Sequence, residues 1–205
     1  MHQKQTRKLA ITALFVAIFL LQTFIPNIGY IRIFPALPAI TTVPLTVAIY
    51  AILLGPKSGA VFGLFWGLVR LFQAYTQPGD VVSLLLFQNV FIAVVPSVLA
   101  GLFPGLVAQF FKDKSEKMQE IGYVLAGVIT SLTNTAFVIL LTSLLFMNQT
   151  AFFASHMGHF SSNTPLIWIL LTALGFNGLV EAIFTAIVTP IIATPLQKIM
   201  HRIHF

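Results

Sequence analysis

Six apolar stretches leave this chain few ways to fold. They lie at about residues 9–25, 39–54, 60–75, 82–110, 121–147 and 165–198, the second and third being short. Most reach the roughly 20 apolar residues that a helix needs to cross a bilayer. In hydrocarbon every backbone polar group has to be satisfied within the protein, so stretches of this kind form helices. A soluble domain carries about 25% charged residues, whereas here 8% are charged and 58% hydrophobic. The expected fold class is an all-α integral membrane protein, a compact bundle of six transmembrane helices forming a single domain over residues 1–205. The first stretch has no small-residue cleavage site and is soon followed by further apolar spans, which reads as a retained helix and not a signal peptide.

The connections carry their own signals. Residues 26–38 contain Pro26, Pro35, Pro38 and Gly29, which rule out a continuous helix. They are too apolar to float in water and are expected to fold back over the mouth of the bundle. Gly55-Pro56-Lys57-Ser58-Gly59 is expected to make a tight turn, and Pro96 and Pro104 to bend the fourth span. Residues 148–164 read as a polar outer segment.

Charge sets an orientation. Six spans put both termini on one side, together with Lys4, Arg7, Lys8, Lys57, Lys112, Lys114, Lys117, Lys198 and Arg202. The other side has Arg32, and Arg70 lies within a span. Basic loops stay in the cytoplasm, so both termini and the loop at 112–117 are expected there. The net charge of +6 follows from this asymmetry. It gives no basic face of the kind that nucleic acid requires. With no cysteine there is no disulfide framework, thiolate metal site or cysteine nucleophile. His156 and His159 are too few for a metal site. No P-loop, HExxH or G-x-S-x-G pattern occurs, and no cofactor is expected.

The informative residues are the polar ones inside the spans. Glu181 is the one acid within an apolar stretch, and Asn177 precedes it by four residues, on the same helical face. An intramembrane carboxylate is costly and usually faces a bundle interior or a cavity. One span earlier, Ser131, Thr133, Asn134 and Thr135 cluster at an estimated depth similar to that of Asn177. Arg70 shares a face with Trp66 and lies near Gln73. Its guanidinium suits a carboxylate or phosphate, or else snorkels to the outer headgroups. Asn89 either meets a ligand or bonds another helix. Glu181 either contacts a ligand or is a structural acid bonded to its neighbours. The candidate substrate-binding set is Tyr30, Trp66, Arg70, Gln73, Asn89, Asn134, Asn177 and Glu181, with Tyr30 in the loop over the mouth. Ala13 and Ala17 form a small-xxx-small pair that admits a close partner helix or packs within the bundle.

Nearly the whole chain resembles the S components of energy-coupling factor (ECF) vitamin transporters. The resemblance rests on Thr6-Arg7-Lys8-Leu9 followed by Ala13-x-x-x-Ala17, and on Leu54-Gly55-Pro56-Lys57-Ser58-Gly59. Gly127, Ser131-Leu132-Thr133-Asn134-Thr135 and Asn177-Gly178-x-x-Glu181-Ala182 look most like the family's pantothenate-specific branch. The resemblance implies capture of a vitamin at the outer face of a bacterial plasma membrane, with no chemistry in this subunit. It also implies docking through the alanine pair onto the transmembrane subunit EcfT, which works with the ATPase subunits EcfA and EcfA'. Folate or another small vitamin is the alternative within the family. Outside it stand a membrane enzyme, which needs a convergent acid–base or metal set, and a stand-alone secondary transporter, which favours inverted repeats.

Overall fold

The computed structural model describes residues 2–25, 28–31, 40–77, 85–157 and 164–202. It is built from α1 (His2–Phe24), a small hairpin of β1 (Tyr30–Ile31) and β2 (Ile40–Thr41), α2 (Val43–Leu54), α3 (Pro56–Thr76), α4 (Val90–Phe111), α5 (Glu116–Leu145), α6 (Thr150–His156) and α7 (Leu166–Arg202). The hairpin is antiparallel, with Tyr30 opposite Thr41. Within α1, α4, α5 and α7 lie stretches long and apolar enough to cross a membrane. The 12 residues of α2 fall short of that length, and α3 carries Lys57, Arg70 and Gln73. The expected helical membrane fold is therefore present, with a two-residue β-ladder as its one strand pair among the described residues.

Helix α2 explains its own shortness. Ten of its residues are buried, on every side of the helix. A helix apolar all round belongs inside a bundle, and α3, α4, α5 and α7 enclose it together with α1. Pro44 sits in its first turn, where a missing N–H costs nothing. The expected turn at 55–59 is shorter than its sequence suggests. Gly55, at φ 87°, makes the reversal alone, and Pro56 already opens α3. Glycine takes that φ without strain, and proline is preorganised for a first helical position.

Two other expectations shift. The fourth span was expected from residue 82, but Asn89 adopts extended backbone and its Oδ1 accepts from Phe91 N at 3.0 Å and Ile92 N at 3.4 Å. That is an N-cap, and α4 starts after it. The segment at 148–164 is less loop-like than expected. A 3-10 turn at Met147–Gln149 leads into α6, because Phe153 supplies an apolar side chain that is buried completely against Leu166, Ile169 and Leu170.

Two interfaces set the positions of the helices. Between α3 and α4, Gly59, Gly63 and Gly67 lie four residues apart, and Gly101 faces them. A Cβ at Gly59 or Gly63 would run into the backbone carbonyl of Gly101 or Ser97, so these backbones touch directly. Between α5 and α7, Gly127 lies against the Thr185 backbone and hydroxyls add to the contact. Ser131 and Thr185 hydroxyls lie 3.1 Å apart, and Thr185 also donates to Gly127 O at 2.9 Å. An aromatic core joins α1, α2 and α3. In it Tyr50 stacks on Phe62 at 4.4 Å between centroids, and Phe15 meets Tyr50 edge-on at 5.4 Å.

Candidate substrate cavity

A cavity of about 620 Å³ opens where α1, α3 and α5 end and α7 begins. Its volume falls within the range of small-molecule sites, about 300–1,000 Å³. Helical periodicity delivers its walls. On α3 and its C-cap, Trp66, Arg70, Gln73 and Gln77 recur every three or four residues and all line it. Asn134, Thr135 and Val138 come from α5, and Ala173, Leu174, Asn177 and Glu181 from α7.

Arg70 is the cation of this cavity. Its guanidinium carbon lies 4.5 Å from the ring centroids of both Trp66 and Phe87. Such stacking holds the planar group by cation–π attraction. One guanidinium nitrogen donates to Asn134 Oδ1 at 3.2 Å, which fixes the direction of the fork. Gln73 Nε2 donates to Thr23 O at 3.0 Å and ties α3 to the end of α1.

Across the cavity, Glu181 is 4% exposed. Its Oε1 accepts from Asn177 Nδ2 at 3.2 Å and from the Thr41 backbone N–H at 3.0 Å. The carboxylate thus joins α7 to β2. The hairpin is also held by Thr42 N–H donating to Gly29 O at 2.9 Å. Gln22 of α1 donates to Thr42 Oγ1 at 3.0 Å and accepts from Thr46 Oγ1 at 2.8 Å. These bonds leave the Asn134 amide donor and the Asn177 carbonyl oxygen without a partner among the described residues. Among the described residues the cavity therefore offers the Arg70 guanidinium, the Asn134 amide donor and the Asn177 amide acceptor, with the Gln73 and Gln77 amides beside them, between aromatic and aliphatic walls.

Of the residues expected at a site, Trp66, Arg70, Gln73, Asn134, Asn177 and Glu181 come together on this cavity. Asn89 does not, because its side chain caps α4. Tyr30 is described only through its backbone pairing, and its side chain lies outside the described residues. Arg32 and most of the loop at 26–38 also lie outside them. Sequence reasoning missed Phe87, Thr23, Gln77 and Met157, which line the cavity. Phe87 carries no periodic signal, being in a single turn before the Asn89 cap. His156, expected in a solvated loop, stands exposed at the cavity and stacks on Phe152 at 4.2 Å.

The chain matches the family of ECF transporter substrate-specific components over residues 7–193. It belongs to that family, and it is a multi-pass protein of the cell membrane. Among its relatives, the pantothenate transporter PanT of Leuconostoc mesenteroides subsp. mesenteroides is 36% identical over 98% of both chains. The pantothenic acid transporter PanT of Lactococcus lactis subsp. cremoris is 30% identical over 97% of both. The family and both relatives are transporters.

Proposed function

We propose that this protein is the pantothenate-specific S component of an ECF importer. It captures the vitamin in the cavity walled by α3, α5 and α7 and delivers it through an ATP-driven module of EcfT, EcfA and EcfA'. The observation that carries the reading is Arg70, stacked between two rings and aimed by Asn134 on a cavity whose lining also includes Glu181. Pantothenate has one carboxylate, one amide and two hydroxyls. Arg70 binds the carboxylate, where guanidinium supplies paired donors. Asn134 and Asn177 read the amide and hydroxyls. Trp66 and Phe87 form the apolar wall, with Gln73 beside them. Glu181 orients Asn177 and holds the hairpin, which places Tyr30 near the mouth.

In this reading residues 1–205 form one domain of six spans, with both termini and the lysine-rich turn after α4 in the cytoplasm. Among the four strongly apolar helices, α1 is the least buried. Ala13 and Ala17 are exposed on it, while Phe15 and Phe19 face the core. That exposure supports docking of EcfT on the alanine face over packing within the bundle.

Calorimetry with the purified protein tests the site. Pantothenate should bind, and pantothenol, which has an alcohol in place of the carboxylate, should bind much more weakly. Equal affinity for the two would remove the carboxylate from recognition. A second measurement tests docking. Ala13→Trp should leave pantothenate binding by the isolated protein intact and abolish uptake in cells that carry the module. Loss of binding along with uptake would mean that the alanine face supports the fold.

A further inference from the structure

A second cavity, of about 360 Å³, lies at the other end of the bundle. It is enclosed by the last turns of α2, α4 and α7, the start of α5 and the Gly55 reversal. Tyr123 lines it and is 7% exposed, yet its hydroxyl has no hydrogen-bond partner among the described residues. Among the described residues, the partnerless polar side-chain atoms sealed inside the protein are those of Thr142, Ser143 and Thr189. The Tyr123 hydroxyl is not one of them, so it opens onto the cavity. A buried phenol usually finds a partner, and here the open side of the cavity is where one can come from.

The other polar groups define the chemistry. Gln119 Nε2 donates to Lys112 O and Lys114 O, both at 2.9 Å, and so holds the turn that places Lys112 on the cavity rim. Gln197 Nε2 donates to Ile52 O at 3.0 Å and braces α7 against α2. Each of these glutamines lines the cavity and keeps an amide oxygen with no partner among the described residues, so an acceptor is available there. The α3 start at Gly55 has no side-chain cap, and the positive end of a helix dipole favours an anion. The nearby acids do not line the cavity. Glu116 pairs with Lys198 at 3.4 Å, and Asp113 and Glu120 are exposed. A cation and a phenol donor beside two acceptors match a phosphate ester that carries hydroxyls.

We propose that this cavity binds the headgroup of an anionic, hydroxyl-bearing phospholipid such as phosphatidylglycerol. Lys112 and Tyr123 hold the phosphate, and Gln119 and Gln197 accept from the headgroup hydroxyls. The acyl chains lie along exposed apolar side chains at the same helix ends, such as Phe110 of α4, Ile121 of α5 and Ile199 of α7. Lys57, Lys112, Lys114, Lys117 and Lys198 mark this end as the one that the charge asymmetry turns to the cytoplasm, where the leaflet is anionic. The lipid acts as an anchor for this end of the bundle and does not enter the vitamin site.

The full chain in a neutral detergent tests this by native mass spectrometry and calorimetry. The probes are short-chain phosphatidylglycerol, short-chain phosphatidylcholine and inorganic phosphate. Phosphatidylglycerol should bind better than phosphatidylcholine. Tyr123→Phe, which keeps the ring and the fold, should weaken it about three- to tenfold, as expected for one lost hydrogen bond. Lys112→Gln should weaken it about ten- to a hundredfold, as expected for a bond to a charged group. Lys117→Gln, off the cavity, should leave it unchanged. If inorganic phosphate displaces the lipid with the same sensitivity to Tyr123→Phe, the phosphate chemistry stands and free phosphate is its source. Equal binding of both lipids, or equal loss from Lys112→Gln and Lys117→Gln with none from Tyr123→Phe, overturns the proposal. Pantothenate affinity, measured on the same variants, should not move, so failure here is distinguishable from failure of the vitamin reading.

Discussion

The two walls of the substrate cavity are held in place by different physics. The wall that carries Trp66, Arg70 and Gln73 belongs to α3, which lies backbone to backbone against α4 along Gly59, Gly63 and Gly101. The wall that carries Asn134, Asn177 and Glu181 belongs to α5 and α7, which meet through Ser131, Thr185 and the Gly127 carbonyl. Lipid tails are as apolar as side chains, so helices in a membrane gain little by hiding apolar surface from them and associate through close packing and hydrogen bonds. This protein relies on the first device for the wall with the cation and combines both for the wall with the amides, where Gly127 lies against the Thr185 backbone carbonyl beside the hydroxyl bonds. Glycine contacts have no tolerance, because the neighbour is backbone and cannot move aside. Hydroxyl contacts are individually weak and replaceable. The cation is therefore set in a frame of repeated backbone contacts, while the wall with the amides has one such contact at Gly127 and is otherwise joined by hydroxyls.

The largest effect should come from breaking the rigid frame. Gly101→Leu drives a side chain into the Gly59 carbonyl. Overpacking usually costs about 1–3 kcal/mol where side chains can shift, and here the obstacle is fixed. The expected result on size-exclusion chromatography is loss of monodisperse protein, and with it all binding. Wild-type affinity in Gly101→Leu would show that α3 and α4 can separate without consequence, and the contrast between the walls would collapse.

Next comes the cation itself. A hydrogen bond to a charged group contributes about 1.5–3 kcal/mol, so Arg70→Ala should weaken pantothenate roughly ten- to a hundredfold or more. Pantothenol should lose little further on the same substitution, since the guanidinium has no acid to grip. Calorimetry with both ligands on both proteins gives the comparison. An equal loss for the two ligands would make Arg70 a support for Trp66, Phe87 and Asn134 and not the reader of the carboxylate.

The amide wall predicts a smaller response. Thr185→Val keeps the shape and removes the hydroxyl that faces Ser131 and the Gly127 carbonyl. Interhelical hydrogen bonds of this kind average about 0.6 kcal/mol. Thermal stability in detergent should fall slightly, and affinity should stay within roughly threefold on the same scale. A loss of binding as large as that from Arg70→Ala would show that the amide wall is as unforgiving as the other.

How much of this was legible in the sequence depends on the kind of signal each residue carries. Arg70, Asn134, Asn177 and Glu181 stood out because polar groups in apolar helices are expensive, so each needs a reason, and helical spacing put Asn177 over Glu181. Their convergence on one cavity needed the tertiary packing of α4 between α3 and α5. Phe87 could not be found the same way, since an aromatic residue in an apolar chain is ordinary. The start of α4 escapes the hydropathy pattern because Asn89 falls inside the apolar stretch that begins at 82, although an asparagine before an apolar run is also a cap signal. The Gly59, Gly63, Gly67 repeat was readable as a close-packing face and points to α4 only once Gly101 is seen opposite it.

Asn89 gives the smallest expected effect and the sharpest control. It stands at the same end of the bundle as the cavity and has the same side chain as Asn134, but its Oδ1 serves Phe91 N and Ile92 N of its own helix. Asn89→Asp keeps that acceptor and adds negative charge at a helix start, where the dipole favours it by about 0.3–1 kcal/mol. Stability should therefore hold or rise slightly, and pantothenate affinity should not change. The test is informative because pantothenate is an anion. Were Asn89 within contact of the ligand, a new carboxylate there would repel it and weaken binding well beyond the error of the titration. An unchanged affinity in Asn89→Asp beside a weakened one in Asn134→Ala would separate two identical side chains by where the helix puts them: one closes a helix start, and the other aims the arginine.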